Sequence, residues 1–338
     1  MAIFTDVLLD VTKNGRKLPT NEYREFGLYP IIDQGQNDIA GYTDETNGLF
    51  SDVPAIIFGD HTRVIKYVDA PFFIGADGVK ILKAKDNKAN YKFLYYALSS
   101  AKIPNTGYNR HFKWLKEVDI PTYTEQEQSQ IVSELDKITA LIDLRKEQLS
   151  KLDQLVKSRF IEMFGDVITN SKNWGIMTWN NVLTIKNGRN QKQVENPTGK
   201  YPICGSGGVM GYADDYITEE NSVIVGRKGN INKPILMREK FWNVDTAFGL
   251  EPNTDILLVD YLYLYCLFFD FETLNKAVTI PSLTKSDLLN IDMPIPPIDL
   301  QNQFAEFVEQ TDKLKFEVKE ALEKLEILKK SLMQQYFG

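Results

Sequence analysis

Basic and amide side chains gather in a few short, glycine-marked stretches of this 338-residue chain. Residues 186–193, KNGRNQKQ, bring Lys186, Arg189, Gln191 and Lys192 together. Residues 226–233, GRKGNINK, place Arg227 and Lys228 between glycines, ahead of Lys233. KNGRK at 13–17 (Lys13, Arg16, Lys17) occupies the place equivalent to KNGRN, and GDHTRVIK at 59–66 (His61, Arg63, Lys66) that of GRKGNINK. GYNRHFK at 107–113 adds Asn109, Arg110, His111 and Lys113, and its counterpart SLTKS at 282–286 holds Thr284 and Lys285. Arginine can hydrogen-bond both acceptors of guanine, and Asn or Gln can do the same for adenine, whereas lysine more often meets a phosphate. Glycines beside them let the backbone approach closely. Taken singly, each residue is equally ordinary as a solvated surface charge, so its meaning depends on the elements that hold it.

Signals for catalysis are missing. There is no Asp/Asn-Pro-Pro-Tyr/Phe run of an amino-methyltransferase and no Gly-rich loop ending in Lys-Ser/Thr. GSGGVMG at 205–211 departs from a dinucleotide loop because Met210 stands where the third glycine belongs, and it reads as a Gly-rich turn. His61, His111, Cys204 and Cys266 show no metal-ligand spacing. Asp214-Asp215 and Glu219-Glu220 read as solvated loops, and nothing favours a Ser/His/Asp arrangement. Phe72, Phe73, Trp114, Phe241, Trp242, Tyr261, Tyr263 and Phe268 read as core rather than as stacking platforms for bases.

Composition sets the frame. Hydrophobic residues make up 43% and charged residues 25% of the chain, the balance of a soluble globular protein. At about 150 residues per domain, the length suits roughly two domains. A net charge of -7, from 39 basic and 46 acidic residues, argues against coating nucleic acid by bulk charge but leaves room for local basic faces. No apolar run reaches the roughly 18 residues of a membrane span. The start, MAIFTDVLLD, lacks the basic region of a signal peptide, and two cysteines build no disulfide framework. A reducing cytoplasm is the expected setting.

The elements that must position the basic stretches occur twice. KEQLSKLDQLVKSRFIEMFG at 146–165 lies over KEALEKLEILKKSLMQQYFG at 319–338, and ten of these twenty positions are identical. The match extends upstream without a gap, pairing Gln128 with Gln301 and Pro121 with Pro294. YPIIDQGQNDIAGY resembles YPICGSGGVMGY, and AIIFGD resembles SVIVGR. Each unit therefore reads as a β-rich globular region, a short helical patch, a Pro-marked link and a long helix.

The first long helix carries Ile131, Leu135, Ile138, Ile142, Leu149, Leu152, Val156 and Met163 at alternating steps of four and three, with Arg145 and Arg159 in two seam places. The second is weaker: Phe304, Val308, Leu314, Val318, Leu322, Leu325, Leu328 and Leu332. Such stripes must be buried on something. Two separate homodimeric coiled coils would serve. Intramolecular pairing is the preferred reading, antiparallel about a pseudo-twofold axis, with a globe at each end of a rod.

Once the unit ends are in view, the chain resembles the specificity (S) subunits of type I restriction–modification enzymes. The carrying residues are TGYNRHFKWLKEVDIPTYTEQEQSQIVSELDKI running into LDQLVKSRFIEMFGD, and IPSLTKSDLLNIDMPIPPIDLQNQF in the second half. One departure is that Glu127-Gln128 of the first link becomes Leu300-Gln301 in the second. The resemblance implies an α+β chain with two similar mixed α/β target-recognition domains, at 1–119 and 166–292. Links and spacer helices would occupy 120–165 and 293–338. Each domain would read one half of a bipartite double-stranded DNA target through the basic stretches above. The helices would set the unread spacer and dock two methyltransferase (M) subunits, with motor-nuclease (R) subunits in the full complex. The chain would be no enzyme by itself, and S-adenosylmethionine, Mg and ATP would sit on partner subunits. The alternatives are the specificity subunit of a related type II methylase–nuclease system, or a coiled-coil scaffold that binds no DNA.

Overall fold

The duplicated sequence folds into duplicated topology. The computed structural model describes residues 1–75, 77–277 and 279–338. Its chain divides into two units, Met1–Arg145 with Ala321–Gly338, and Lys146–Glu320. The first begins β1 (Ala2–Ile3), α1 (Phe4–Val7), β2 (Leu8–Asp10), β3 (Tyr29–Ile32), β4 (Gly41–Thr43), β5 (Ala55–Gly59) and β6 (Ile65–Val68). It continues with β7 (Phe73–Ile74), β8 (Val79–Ala84), α2 (Tyr91–Ser99), α3 (Phe112–Leu115), β9 (Asp119–Ile120) and the start of α4 (Glu125–Phe164). Next come β10 (Gly175–Thr178), α5 (Trp179–Val182), β11 (Leu183–Asn187), β12 (Tyr201–Gly205), β13 (Gly208–Ala213) and β14 (Ser222–Gly226). The chain ends with β15 (Ile235–Met237), β16 (Trp242–Asn243), β17 (Ala247–Pro252), α6 (Val259–Phe268), α7 (Lys285–Leu289), β18 (Asp292–Ile295) and α8 (Ile298–Phe337).

Each unit holds the same three sheets. The larger runs β2-β8-β5-β6 in the first and β11-β17-β14-β15 in the second, antiparallel throughout. The next runs β4-β3-β7 and β13-β12-β16, with one antiparallel and one parallel pairing in each. The last joins a domain's entry to its exit: β1 with β9, and β10 with β18. The unbroken apolar runs AIIFG and SVIVG form β5 and β14, which lie inside their sheets and are buried at every residue, so they show no alternation.

The links carry specific stops. Thr124 and Glu127 form a reciprocal cap at the start of α4: Glu127 N donates to Thr124 Oγ1, and Thr124 N donates to Glu127 Oε2 at 2.8 Å. The repeated glutamine acts differently in the two links. Among the described residues Gln128 Nε2 reaches Tyr123 O, whereas the buried Gln301 donates to Ile256 O and Pro296 O and accepts from Leu258 N. Replacing Glu127 by Leu300 thus accompanies a change from a solvated cap to a glutamine staple inside the domain. Gly165 ends α4 at φ +76, where a Cβ would strike Ser171.

Within each unit, part of α4 packs antiparallel against part of α8. In the second, Phe160 and Phe164 meet Phe304, while Asp153, about two to three turns earlier, pairs with Lys315 at 2.8 Å. In the first, Leu332 and Met333 pack on a core containing Ile131 and Leu135, and Tyr123 OH donates to Tyr336 O. Ile131, Leu135, Ile138, Ile142, Val156 and Val318 are buried; Leu149, Leu152, Leu322, Leu325 and Leu332 are half-buried. Leu314 and Leu328 correct the second stripe, for both are exposed. Its regular steps run instead through Phe304, Val308, Thr311, Lys315, Val318, Leu322, Leu325, Lys329 and Leu332. The sequence pattern hid this because Thr311, Lys315 and Lys329 stand where apolar residues are sought.

Candidate nucleic-acid interface

In the second unit two basic stretches converge on one turn, residues 243–247, and a third joins them through residues 227–229. Asn243, fully buried, donates through Nδ2 to Lys186 O and Ala247 O at 3.2 Å each and accepts from Thr218 Oγ1 at 2.8 Å. Arg189 N donates to Asn243 O, and Trp242 Nε1 donates to Arg189 O. Arg227 N and Lys228 N both donate to Thr246 O, while Leu283 N returns a bond to Arg227 O. The backbones of 186–189, 226–229 and 281–283 are therefore pinned together by strand ends. Gly188 is obligatory, since a Cβ there would collide with Val244 O. The second Lys-Asn-Gly-Arg is thus first a structural turn, with Arg189 the part left exposed.

The side chains of Arg189, Lys192, Arg227, Lys228 and Lys233 are exposed, and among the described residues none forms an ion pair. The other candidates serve the scaffold. Lys186 pairs with Glu251 at 3.3 Å, Lys285 Nζ donates to Ile185 O, and Thr284 caps α7 by accepting from Asp287 N. Gln191 is half-buried, and its carbonyl holds Val194 N and Glu195 N.

The first unit uses Gln34 as organiser. Its Nε2 donates to Asp77 O, its Oε1 accepts from His61 N, and its carbonyl accepts from Thr62 Oγ1 at 2.6 Å. Lys17 pairs with Asp77 and holds that carboxyl below the usual carboxylate range, with Arg110 and His61 adding to the effect. The structure so brings together Lys17, His61 and Arg110. Tyr108, 87% exposed, stacks on the His61 ring with centroids 4.6 Å apart. Arg16 pairs with Glu45 at 3.1 Å, Asn109 Nδ2 donates to Thr106 O, and Lys113 lies over the Trp114 ring. Lys13 is exposed on a turn, and Arg63, at φ 64, straps Ile103 O at 3.2 Å.

Two candidates are withdrawn by burial. Lys66 is 4% exposed, donates to Asn37 O and faces Asp33; desolvation pushes its pKa down. His111 is fully buried, with Nδ1 at 2.9 Å from Asp60 O. Both fix loops from beneath, and neither reaches solvent. Gln34, Tyr108 and Asn243 went unremarked in the sequence: each acts through partners far along the chain, and only the loop run DQGQND hinted at one of them.

The long helices also carry exposed leucines, Leu141, Leu144 and Leu328 in the first unit and Leu155 and Leu314 in the second; of these, all but Leu144 match across the repeat. Each stands one residue before a seam position, and the repeat maps Leu141 onto Leu314 and Leu155 onto Leu328. In an antiparallel pair, matching heptad positions fall on the same flank, so each unit shows one such pair of leucines.

The family described as Type I restriction modification DNA specificity domain matches residues 6–154 and 171–328, most of the chain. The chain belongs to that family. It is a specificity subunit of a type I restriction–modification system, with two tandem recognition domains. It is 26% identical over 345 residues to the EcoR124I/EcoR124II specificity subunit of Escherichia coli, covering 89% of this chain and 83% of the relative. The S subunit structure from M. genitalium superposes with a TM-score of 0.66 at 20% identity, covering 100% of this chain and 95% of that one. A chain from a structure concerned with complex assembly and conformational transition of the type I R-M system superposes at 0.55 and 18% identity, covering 99% and 96%. These likenesses in structure attest the fold. Among the described residues, no helix is long and apolar enough to cross a membrane, and no cluster of His, Cys, Asp and Glu is placed to hold a metal ion.

Proposed function

We propose that each recognition domain of this specificity subunit reads one half of a bipartite DNA target, the second through Arg189, Lys192, Arg227, Lys228 and Lys233, the first through Lys17, His61, Asn109 and Arg110. The observation that carries the reading is the convergence of basic stretches on one turn, residues 243–247, with side chains free and backbones fixed. Such preorganised arginines suit base edges in a major groove, and the lysines suit phosphates. The long helices set the unread spacer between half-sites. Their exposed leucine pairs, one in each unit at repeat-equivalent places, suit two copies of one partner, the methyltransferase subunits; motor-nuclease subunits complete the cutting complex. The chain itself does no chemistry and acts in the cytoplasm. S-adenosylmethionine, Mg and ATP belong to the partners.

With a net charge of -7, the isolated chain binds DNA weakly, and the partner subunits supply the remaining positive surface. The decisive experiment exchanges residues 1–119 for another recognition domain and maps host-genome methylation. One half-site changes and the other stays. A change in both half-sites, or in neither, overturns the reading.

A further inference from the structure

The Gly-rich turn at 205–211 is a β-hairpin, and it breaks the rule of its own strand. Successive side chains of a strand face opposite sides, yet neighbours Val209 and Met210 are 57% and 61% exposed. The cause is a register shift. Gly205 pairs with Gly208 and Cys204 with Val209, but Ile203 pairs with Gly211, so Met210 is the extra residue of a bulge. Bulges re-aim side chains in this way. In the first unit the equivalent strands pair Tyr29 with Thr43 through Ile31 with Gly41 without a shift.

The hairpin tip lies at the basic face. A Cβ on Gly207 would lie 4.0 Å from Asn230 Nδ2, and one on Gly226 would lie 3.0 Å from Ser206 Cβ. One on Gly205 would meet Val244 at 3.4 Å and Met210 Sδ at 3.5 Å. The hairpin that carries these two apolar side chains thus has its tip against Gly226 and Asn230, in the stretch that holds Arg227 and Lys228. Even with Tyr212, 47% exposed on the same strand, the patch is far too small for a protein interface of the usual ~800 Å² per partner. Beside unpaired cations the charge complementarity is with a phosphate backbone, and the one apolar group that a major groove displays is the C5-methyl of thymine.

We propose that Val209 and Met210 form an apolar prong that reads a thymine methyl, making the second domain specific for an A·T pair at one position of its half-site. The proposal rests on the DNA-reading function given above. The hairpin discriminates by contact, leaving the base pair stacked and closed.

The test uses the specificity subunit assembled with its methyltransferase subunits, on duplexes carrying the mapped target. Each thymine of the second half-site is replaced in turn by deoxyuridine, which lacks only the methyl. At one position affinity should fall about fourfold, the value of one buried methylene-sized group. Met210→Ala with Val209→Ala should abolish that penalty, Met210→Leu should keep it, and discrimination at the first half-site should be unchanged. A complex that reads both half-sites yet senses no methyl, or a double variant that keeps the penalty, overturns the prong alone. So does a rise in 2-aminopurine fluorescence beside the hairpin without a uridine penalty, which would mark a wedge. A complex that binds all DNA alike overturns the prong together with the function beneath it.

Discussion

The two recognition units share a sheet plan strand for strand and differ at the face that plan supports. In the first, three cations are answered from within the domain: Arg16 by Glu45, Lys17 by Asp77 and Arg24 by Asp44. In the second, Lys186 is answered by Glu251, but Arg189, Arg227 and Lys228 have their backbones bonded and no ion pair among the described residues. Attachment to the long helices differs as well. The second unit uses rings: Phe160 touches Phe164, Tyr261, Phe268 and Phe304. The first adds a polar clasp, with Asp136 on α4 accepting from Lys92 Nζ at 2.6 Å and from Tyr96 OH at 2.7 Å. A shared scaffold thus fixes where loops emerge, while what they present is free to diverge.

The strongest test of this contrast is Phe160→Ala. Truncating a fully buried ring of this kind costs about 3–5 kcal/mol. Hydrogen exchange should show residues 166–292 losing protection while residues 1–119 keep theirs. Equal loss in both would mean that the aromatic cluster does not belong to the second unit alone.

Next in size is Arg227→Ala. Losing a base-reading arginine costs about 1–3 kcal/mol and relaxes specificity at one position. Arg16→Ala should cost much less, because binding there must first compete with Glu45. Titration of the assembled complex on single-base variants of each half-site would measure both. Lys228→Ala should weaken all sequences alike and lower the salt slope by about one. If Arg16 mattered as much as Arg227, the internal ion pairs would not be restraining the first face.

These residues also show what a sequence can and cannot disclose. The repeat is legible because identical helix ends and a constant separation survive in one dimension, and the helices because apolar steps of three and four persist. The free arginines of the second face are legible as types between glycines. Lys66 and His111 misled because burial depends on what folds over them: Asn37, Asp33 and Asp60 lie at other points of the sequence and give no local sign. Asn243 gives no local sign for the same reason, two of its three partners lying at Lys186 and Thr218.

A smaller effect is expected from the polar clasp. Asp136→Ala removes two charge-assisted hydrogen bonds, but the groups are partly solvated, so the loss should be about 1 kcal/mol rather than the full value of a buried pair. Chemical denaturation followed in the first unit would read it. A loss as large as that of Phe160→Ala would erase the distinction between ring and clasp.

The smallest effect tests an asymmetry of one hydroxyl. Tyr336 OH donates to Glu134 Oε2 at 2.6 Å and, with help from Gln130, holds that carboxyl below the usual carboxylate range. The repeat places Met163 opposite Tyr336, so the second unit has no such donor. A carboxyl depressed in the folded state contributes stability above its unfolded pKa and loses it as pH falls through the folded one. Tyr336→Phe should therefore destabilise the first unit at neutral pH, with the gap from wild type closing in acid as Glu134 becomes protonated in both. Urea midpoints of the two proteins across an acid series would show it. A gap that stayed constant through the carboxylate range would assign the tyrosine's value to its ring packing rather than to its hydroxyl.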